Sequence, residues 1–322
     1  MRKRVLVTEP IPETVKNYLQ EHVELTTWDS PEQMPREELL NTIGNFHGLI
    51  TAKDRIDNEL LEQAGQLEVV SNISVGYDNF DVDALKRSEV IATHTPYVLD
   101  ETVADLIFGL ILSSARRITE LDQYVKQGKW DKAVDAPLFG HNVHHKQLGI
   151  IGMGRIGEKV ARRAKLGFEM EVTYYNRSRK ETVENELGVV YQELDPLLQE
   201  SDFILLMTPL TKETLHLINA DAFKKMKTSC FFINASRGKV VDEAAMIKAL
   251  EGKKIAGAGL DVFEQEPIEP DNPLLKMDNV VTLPHIGSAT AETREEMKLF
   301  AAKNMLQGLS GKQPEAVIKE LQ

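Results

Sequence analysis

Two sets of residues in this 322-residue chain have the types and spacing to do chemistry. The first is Gly152, Gly154 and Gly157, placed after the apolar run Leu148-Gly149-Ile150-Ile151 and before a stripe of Ile156, Val160 and Ala164 at helical spacing. Between a strand and a helix, the first glycine makes a tight turn and the second lets the backbone approach a pyrophosphate. The third lets helix and strand pack closely, and the helix N-terminus faces the phosphate charge. Three glycines alone would suit an ordinary turn; the flanking pattern makes them a dinucleotide fingerprint, with Arg155 and Ile156 opening its helix. The second set is Arg237, Glu266 and His285. A histidine is the natural proton donor to a carbonyl becoming an alcohol, because its pKa lies near working pH. A carboxylate on its other ring nitrogen would set the tautomer, and an arginine fork would hold a substrate carboxylate. Taken singly, each of the three is as easily structural or solvated.

The choice of dinucleotide turns on a loop about twenty residues past the glycines. There NAD sites place an acid for the ribose 2′-hydroxyl. This chain has Asn176-Arg177-Ser178-Arg179-Lys180 instead. Cationic and hydroxyl donors without a carboxylate predict NADP, with NADPH preferred and NAD as the alternative.

These residues need elements to position them. Short apolar runs alternate with polar helical segments, which predicts α/β architecture with two doubly wound parallel sheets. In the first half, strands are expected at 4–8, 23–27, 48–51, 68–73 and 90–93, with helices at 13–20, 36–43, 58–63 and 82–87. After the fingerprint strand, further strands are expected at 170–175, 202–207, 229–234, 254–259 and 279–283. The loops bearing Thr208-Pro209 and Ala235-Ser236-Arg237-Gly238 then fall at the carboxyl edge, where a cofactor belongs. A helix at 291–309 is expected to return to the first domain. The loop 74–81 also follows a strand. It reads either as a binding loop whose Gly76 admits an anion to the backbone or as a turn capped by Asp81. A helix at 101–126 carries Leu106, Ile107, Phe108, Leu110, Ile111 and Leu112. Apolar residues on most of its sides predict a subunit interface over burial within the monomer. His141, His144 and His145 read as a surface loop before a metal site, since no acid or cysteine accompanies them.

Bulk properties narrow the classes. A formal net charge of -12 argues against nucleic acid as a partner. No apolar stretch reaches membrane-span length, and the run after Arg2-Lys3-Arg4 is too short for a signal peptide. The single cysteine, Cys230, excludes an intrachain disulfide and suits a reducing compartment, so a cytoplasmic protein is expected.

Taken together, 74–81, Gly152–Gly157, Asn234-Ala235-Ser236-Arg237-Gly238, Gly259-Leu260-Asp261-Val262-Phe263, Glu266-Pro267 and Pro284-His285-Ile286-Gly287-Ser288 resemble the D-isomer-specific 2-hydroxyacid dehydrogenases. The likeness runs over nearly the whole chain and is strongest to the glyoxylate/hydroxypyruvate reductase branch, which includes 2-ketogluconate reductases. It implies catalysis by His285, Glu266 and Arg237 on a small 2-oxo or 2-hydroxy acid, whose carboxylate binds the Val75 and Gly76 backbone. It implies cofactor contacts at Thr102, Asp261, His285 and Gly287 as well as the loops above. It further implies a flavodoxin-like substrate domain (1–98 and 288–322) interrupted by a Rossmann domain (99–287), and a homodimer formed through the long helix. D-3-phosphoglycerate or D-lactate oxidation, and a nicotinamide-sensing corepressor-like role, are the alternatives. Asp105 and His94 depart from the residues usual at their positions.

Overall fold

The computed structural model describes residues 2–131 and 133–322, which form two compact units. One comprises the residues up to Leu99 with Ala289–Gln322; the other is Asp100–Ser288.

The first unit is a parallel sheet of β1 (Arg4–Val7), β2 (Glu24–Thr27), β3 (Gly48–Thr51), β4 (Val69–Asn72) and β5 (Ile91–Thr93) in the order β2-β1-β3-β4-β5. Its helices span Glu13–Gln20, Arg36–Ile43, Asn58–Gln63 and Val82–Arg87, matching the spacing of their apolar residues. Asp57 and Asp81 cap the last two by accepting the Leu60 and Ala84 N–H groups. One face of the sheet buries Leu39, Ile43, Leu49, Leu60, Val70 and Leu85. The helix Ala291–Leu309 covers β3 and β4: Ser71 Oγ donates to the Ala301 carbonyl at 2.9 Å, and a Cβ on Gly308 would lie 2.7 Å from Val69 Cγ2.

The second unit has seven parallel strands: β6 (Gln147–Ile151), β7 (Glu171–Tyr175), β8 (Val190–Tyr191), β9 (Phe203–Leu206), β10 (Phe231–Asn234), β11 (Gly257–Leu260) and β12 (Val280–Thr282). Their order is β12-β11-β10-β9-β6-β7-β8, so the winding reverses between β6 and β9, the switch point where such sheets bind ligands. The central strands are buried on both faces, as a parallel sheet requires. Cys230 lies in this core, where burial pushes its thiol well above the ordinary range.

Two expectations are corrected. The helix over 101–126 is two helices, Asp100–Arg116 and Ile118–Lys126, broken where Arg117 adopts a left-handed φ of 56°. Its guanidinium reaches the Pro137 carbonyl at 2.6 Å and pairs with Glu120, which holds the break. The apolar cover for Asp100–Arg116 also comes from within its own unit. Ile107, Phe108, Leu110 and Ile111 are buried, Phe108 stacks on Phe168 at 4.9 Å, and Ser114 Oγ donates to the Ala258 carbonyl of β11. Large exposed apolar residues lie further along, at Ile118, Val125, Trp130, Val134 and Phe139. His144 and His145 meet edge to face, and among the described residues no three His, Cys, Asp or Glu side chains group as metal ligands. No described helix is long and apolar enough to cross a membrane.

Candidate active site

Site chemistry in the second unit begins at the glycine turn. Gly152 has φ 106°, and a Cβ there would lie 2.7 Å from the Met207 carbonyl. A Cβ on Gly157 would lie 2.9 Å from the Gly152 carbonyl oxygen, so the turn tolerates no side chain at either position. Gly154 is different. A Cβ there meets nothing within 4 Å, so the turn opens to solvent at the residue preceding the Arg155–Phe168 helix. Two glycines demanded by packing and one left open fit a dinucleotide cradle. Asn176 braces the turn, accepting the Met153 N–H at 2.8 Å and donating to the Met153 carbonyl at 3.1 Å. Its amide therefore holds the loop, while Arg177 and Ser178 stand exposed. Arg179 pairs with Glu184 and lies over the Tyr191 ring. Arg155 Nε meets Asp100 Oδ2 at 3.1 Å, and Thr102 lies on the same helix as Asp100. Thr208, before Pro209 beyond β9, has a buried hydroxyl with no partner among the described residues.

The loop after β10 is clasped by Asn234. Its Oδ1 accepts from the Ser236 N–H and hydroxyl at 3.0 and 2.9 Å, and its Nδ2 donates to the Arg237 carbonyl at 3.2 Å. A Cβ on Gly238 would sit 1.9 Å from the Phe263 carbonyl, so only glycine lets this loop lie against the chain leading to Glu266. Arg237 and Glu266 thereby interact electrostatically.

His285 and Glu266 form a directional couple. Glu266 Oε1 accepts the Phe263 N–H at 3.1 Å, and Oε2 lies 2.7 Å from His285 Nδ1. An ionised carboxylate only accepts, so Nδ1 donates and Nε2 is the nitrogen left for a reacting group. Burial raises the Glu266 pKa, but the hydrogen bond and charge of His285, the Phe263 N–H and Arg237 outweigh it and hold the carboxyl below its ordinary value. His285 has the left-handed φ of 54°, rare for a residue with a side chain. Asp261, 1% exposed, supports that turn by accepting the Ile286 and Gly287 N–H groups at 2.8 Å each. A Cβ on Gly287 would meet its Oδ2 at 3.2 Å. Burial raises the Asp261 pKa, partly offset by these donors and by His285. Asp261, expected beside the nicotinamide, thus spends both oxygens on the turn carrying His285.

In the first unit Val75 and Gly76 lie in the loop after β4, and Asp81 caps the helix that follows. Two residues that the sequence did not single out for the site belong with these loops: Asp100 and Asn72. Their only signal is a polar residue at the inner end of an apolar element, which says nothing about its partner.

A nucleotide cradle and an acid-imidazole-guanidinium set suit dehydrogenation of a hydroxy acid. The sequence model for the NAD-binding domain of D-isomer-specific 2-hydroxyacid dehydrogenases matches residues 108–287. The chain belongs to that family. This dehydrogenase is 47% identical over 311 residues to glyoxylate/hydroxypyruvate reductase B of Escherichia fergusonii, covering 97% of this chain and 96% of that protein. It is equally similar to the same enzyme of Enterobacter sp. strain 638. A solved protein of Thermus thermophilus superposes with a TM-score of 0.91 at 40% identity over 98% of this chain and 99% of its own. An NADPH-dependent glyoxylate/hydroxypyruvate reductase of Sinorhizobium meliloti, solved with NADP and malonate, superposes at 0.87 with 32% identity over 100% and 98%. The protein is accordingly an NAD(P)-dependent D-2-hydroxyacid dehydrogenase of the glyoxylate/hydroxypyruvate reductase branch.

Proposed function

We propose that this dehydrogenase reduces glyoxylate to glycolate and hydroxypyruvate to the D-2-hydroxy acid, with 2-ketogluconate within its range and NADPH as the preferred reductant. The observation that carries the reading is the 2.7 Å Glu266–His285 couple, which leaves Nε2 as a proton donor of defined direction. When bound, the nicotinamide supplies the hydride to C2. His285 gives its Nε2 proton to the carbonyl oxygen, and Glu266 stabilises the imidazolium before that transfer. Arg237 polarises the carbonyl and offers its fork to a carboxylate. Val75 and Gly76 offer their backbone N–H groups to a carboxylate. The turn from Gly152 to Gly157, with Arg155 and Ile156, would hold the pyrophosphate. Arg177 and Ser178 would take the 2′-phosphate, and Thr102, Thr208, Pro209, Ala235, Ser236 and Gly287 would line the remainder.

Relatives that bear the glyoxylate/hydroxypyruvate reductase name support the substrate class, and the NADPH-dependent relative supports the cofactor. On this reading the residues 99–287 serve the nucleotide and the remainder the substrate. The enzyme works in the cytoplasm as a homodimer, for which the exposed Ile118, Val125, Trp130 and Phe139 are the argument. The test is turnover of glyoxylate, hydroxypyruvate, 2-ketogluconate, pyruvate and, in the oxidative direction, D-3-phosphoglycerate, with each nicotinamide. NADPH oxidation fastest with glyoxylate or hydroxypyruvate is expected. D-3-phosphoglycerate as the best substrate would overturn the assignment, and binding of NADPH without turnover of any would favour a sensor.

A further inference from the structure

In the first unit, the loop after β4 shows how a backbone can be built into an anion receptor. Three successive carbonyls are each tied down. The Ser74 carbonyl accepts the Thr95 N–H at 2.9 Å, the Val75 carbonyl lies 2.8 Å from His94 Nδ1, and the Gly76 carbonyl accepts from Asn72 Nδ2 at 2.8 Å. A carbonyl only accepts, so His94 carries its proton on Nδ1. The anchors are themselves held. Asn72 and Thr95 are fully buried, and the His94 N–H donates to the Ala316 carbonyl at 3.1 Å. In a trans peptide the N–H points opposite to the carbonyl. The N–H groups of Val75, Gly76 and Tyr77 therefore each point away from the group that holds the carbonyl of the same peptide. None of the three donates to an acceptor among the described residues, and all lie in half-exposed residues. Consecutive N–H groups facing one way form a concavity for an anion.

We propose that His94 and Asn72 are positioning residues that aim this receptor, and that the Tyr77 N–H is its third donor. The inference rests on the reading that Val75 and Gly76 receive the substrate carboxylate. A carboxylate offers about four lone-pair positions, so it can accept all three donors. His94 acts by holding the Val75–Gly76 peptide plane, and Asn72 does the same for Gly76–Tyr77.

The experiment compares His94→Phe, which keeps a ring but removes the donor, with His94→Asn, which returns an N–H donor near the same place. Should His94→Phe fail to fold, His94→Leu removes the donor with less bulk. One aimed donor corresponds to roughly a tenfold change in binding. His94→Phe is expected to raise the KM for glyoxylate about tenfold, with kcat changed less than threefold and the NADPH KM unchanged. His94→Asn is expected to restore most of the loss. Calorimetric binding of oxalate reads the receptor without turnover and should weaken by the same factor. Unaltered KM and oxalate affinity in His94→Phe, or equal impairment in His94→Asn, would overturn the proposal. If the unsubstituted enzyme reduces no 2-oxo acid, the functional reading falls, while the oxalate measurement still decides the receptor.

Discussion

The strand-end loops of the two units solve opposite problems with the same material. In the second unit, Asp261 and Glu266 consume the N–H groups of Ile286, Gly287 and Phe263, so what is presented is the His285 side chain. In the first unit, Thr95, His94 and Asn72 consume the carbonyls of 74–76, so what is presented is a row of N–H groups. On the proposed roles, a parallel sheet yields a proton donor or an anion receptor according to which half of each peptide the fold satisfies. The costs differ too. The proton-donor loop buries a carboxylate, whose pKa rises, whereas the receptor loop uses a neutral amide, an imidazole and a backbone N–H.

That contrast breaks most directly at its protruding side chain. His285→Ala is expected to lower kcat by about 10²-fold or more, the usual contribution of a positioned general acid, while NADPH still binds. Stopped-flow binding beside steady-state turnover checks both halves. At the ribose loop, Arg177→Asp should raise the NADPH KM by about tenfold or more and leave the NADH KM within threefold, since a carboxylate repels only the 2′-phosphate. Equal effects on both would remove Arg177 from that role.

The two acids of the second unit should carry opposite pH signatures in stability. Glu266 has a lowered pKa, so its contribution is present above the ordinary value near 4.3 and fades as pH falls through the folded value. Asp261 has a raised pKa, so the folded state binds its proton first. Stability gains as pH falls from the folded value toward the ordinary 3.9. Melting temperatures from pH 7 to 3 should therefore show the deficit of Glu266→Gln shrinking below about pH 4.3 and that of Asp261→Asn growing on acidification. Parallel curves would mean that the donors and charges around Glu266 do not outweigh its burial.

What the sequence reveals of this arrangement follows from the range of the forces. Helices whose buried face repeats every three or four residues, such as Glu13–Gln20, Arg36–Ile43 and Ala291–Leu309, are legible to their ends because the pattern is local, and so are the prolines before the first two and the Thr290 cap of the third. The glycine turn is legible for the same reason. The break at Arg117 is not, because it depends on a carbonyl at Pro137, twenty residues away. Nor does an apolar run such as Leu110-Ile111 say whether its cover comes from its own sheet or from another subunit. Polar side chains are the least legible. Asn176 and Asp261 read naturally as cofactor ligands, yet each is committed to a nearby turn whose geometry only the folded chain sets. Asn72 reads as the polar end of a strand and turns out to anchor a carbonyl.

The smallest expected effect tests how firmly the receptor loop is moored. Tyr77 donates its hydroxyl to Glu320 Oε2 at 3.0 Å, and burial, reinforced by that carboxylate, leaves its pKa pushed up to about 12. The unfolded chain would ionise this phenol near pH 10. Between about pH 10 and 12 the unfolded state therefore releases a proton that the folded state keeps, and stability falls as pH rises through that window. Tyr77→Phe lacks the proton and the hydrogen bond. At neutral pH it should cost about 1 kcal/mol or less, the value of one partly exposed hydrogen bond. On alkaline titration, however, its melting temperature should fall less steeply than that of the unsubstituted chain, and the two curves should converge. If they stay parallel to pH 12, the phenol is not held neutral by the fold, and the tether between the loop and Glu320 contributes nothing to holding the receptor in place.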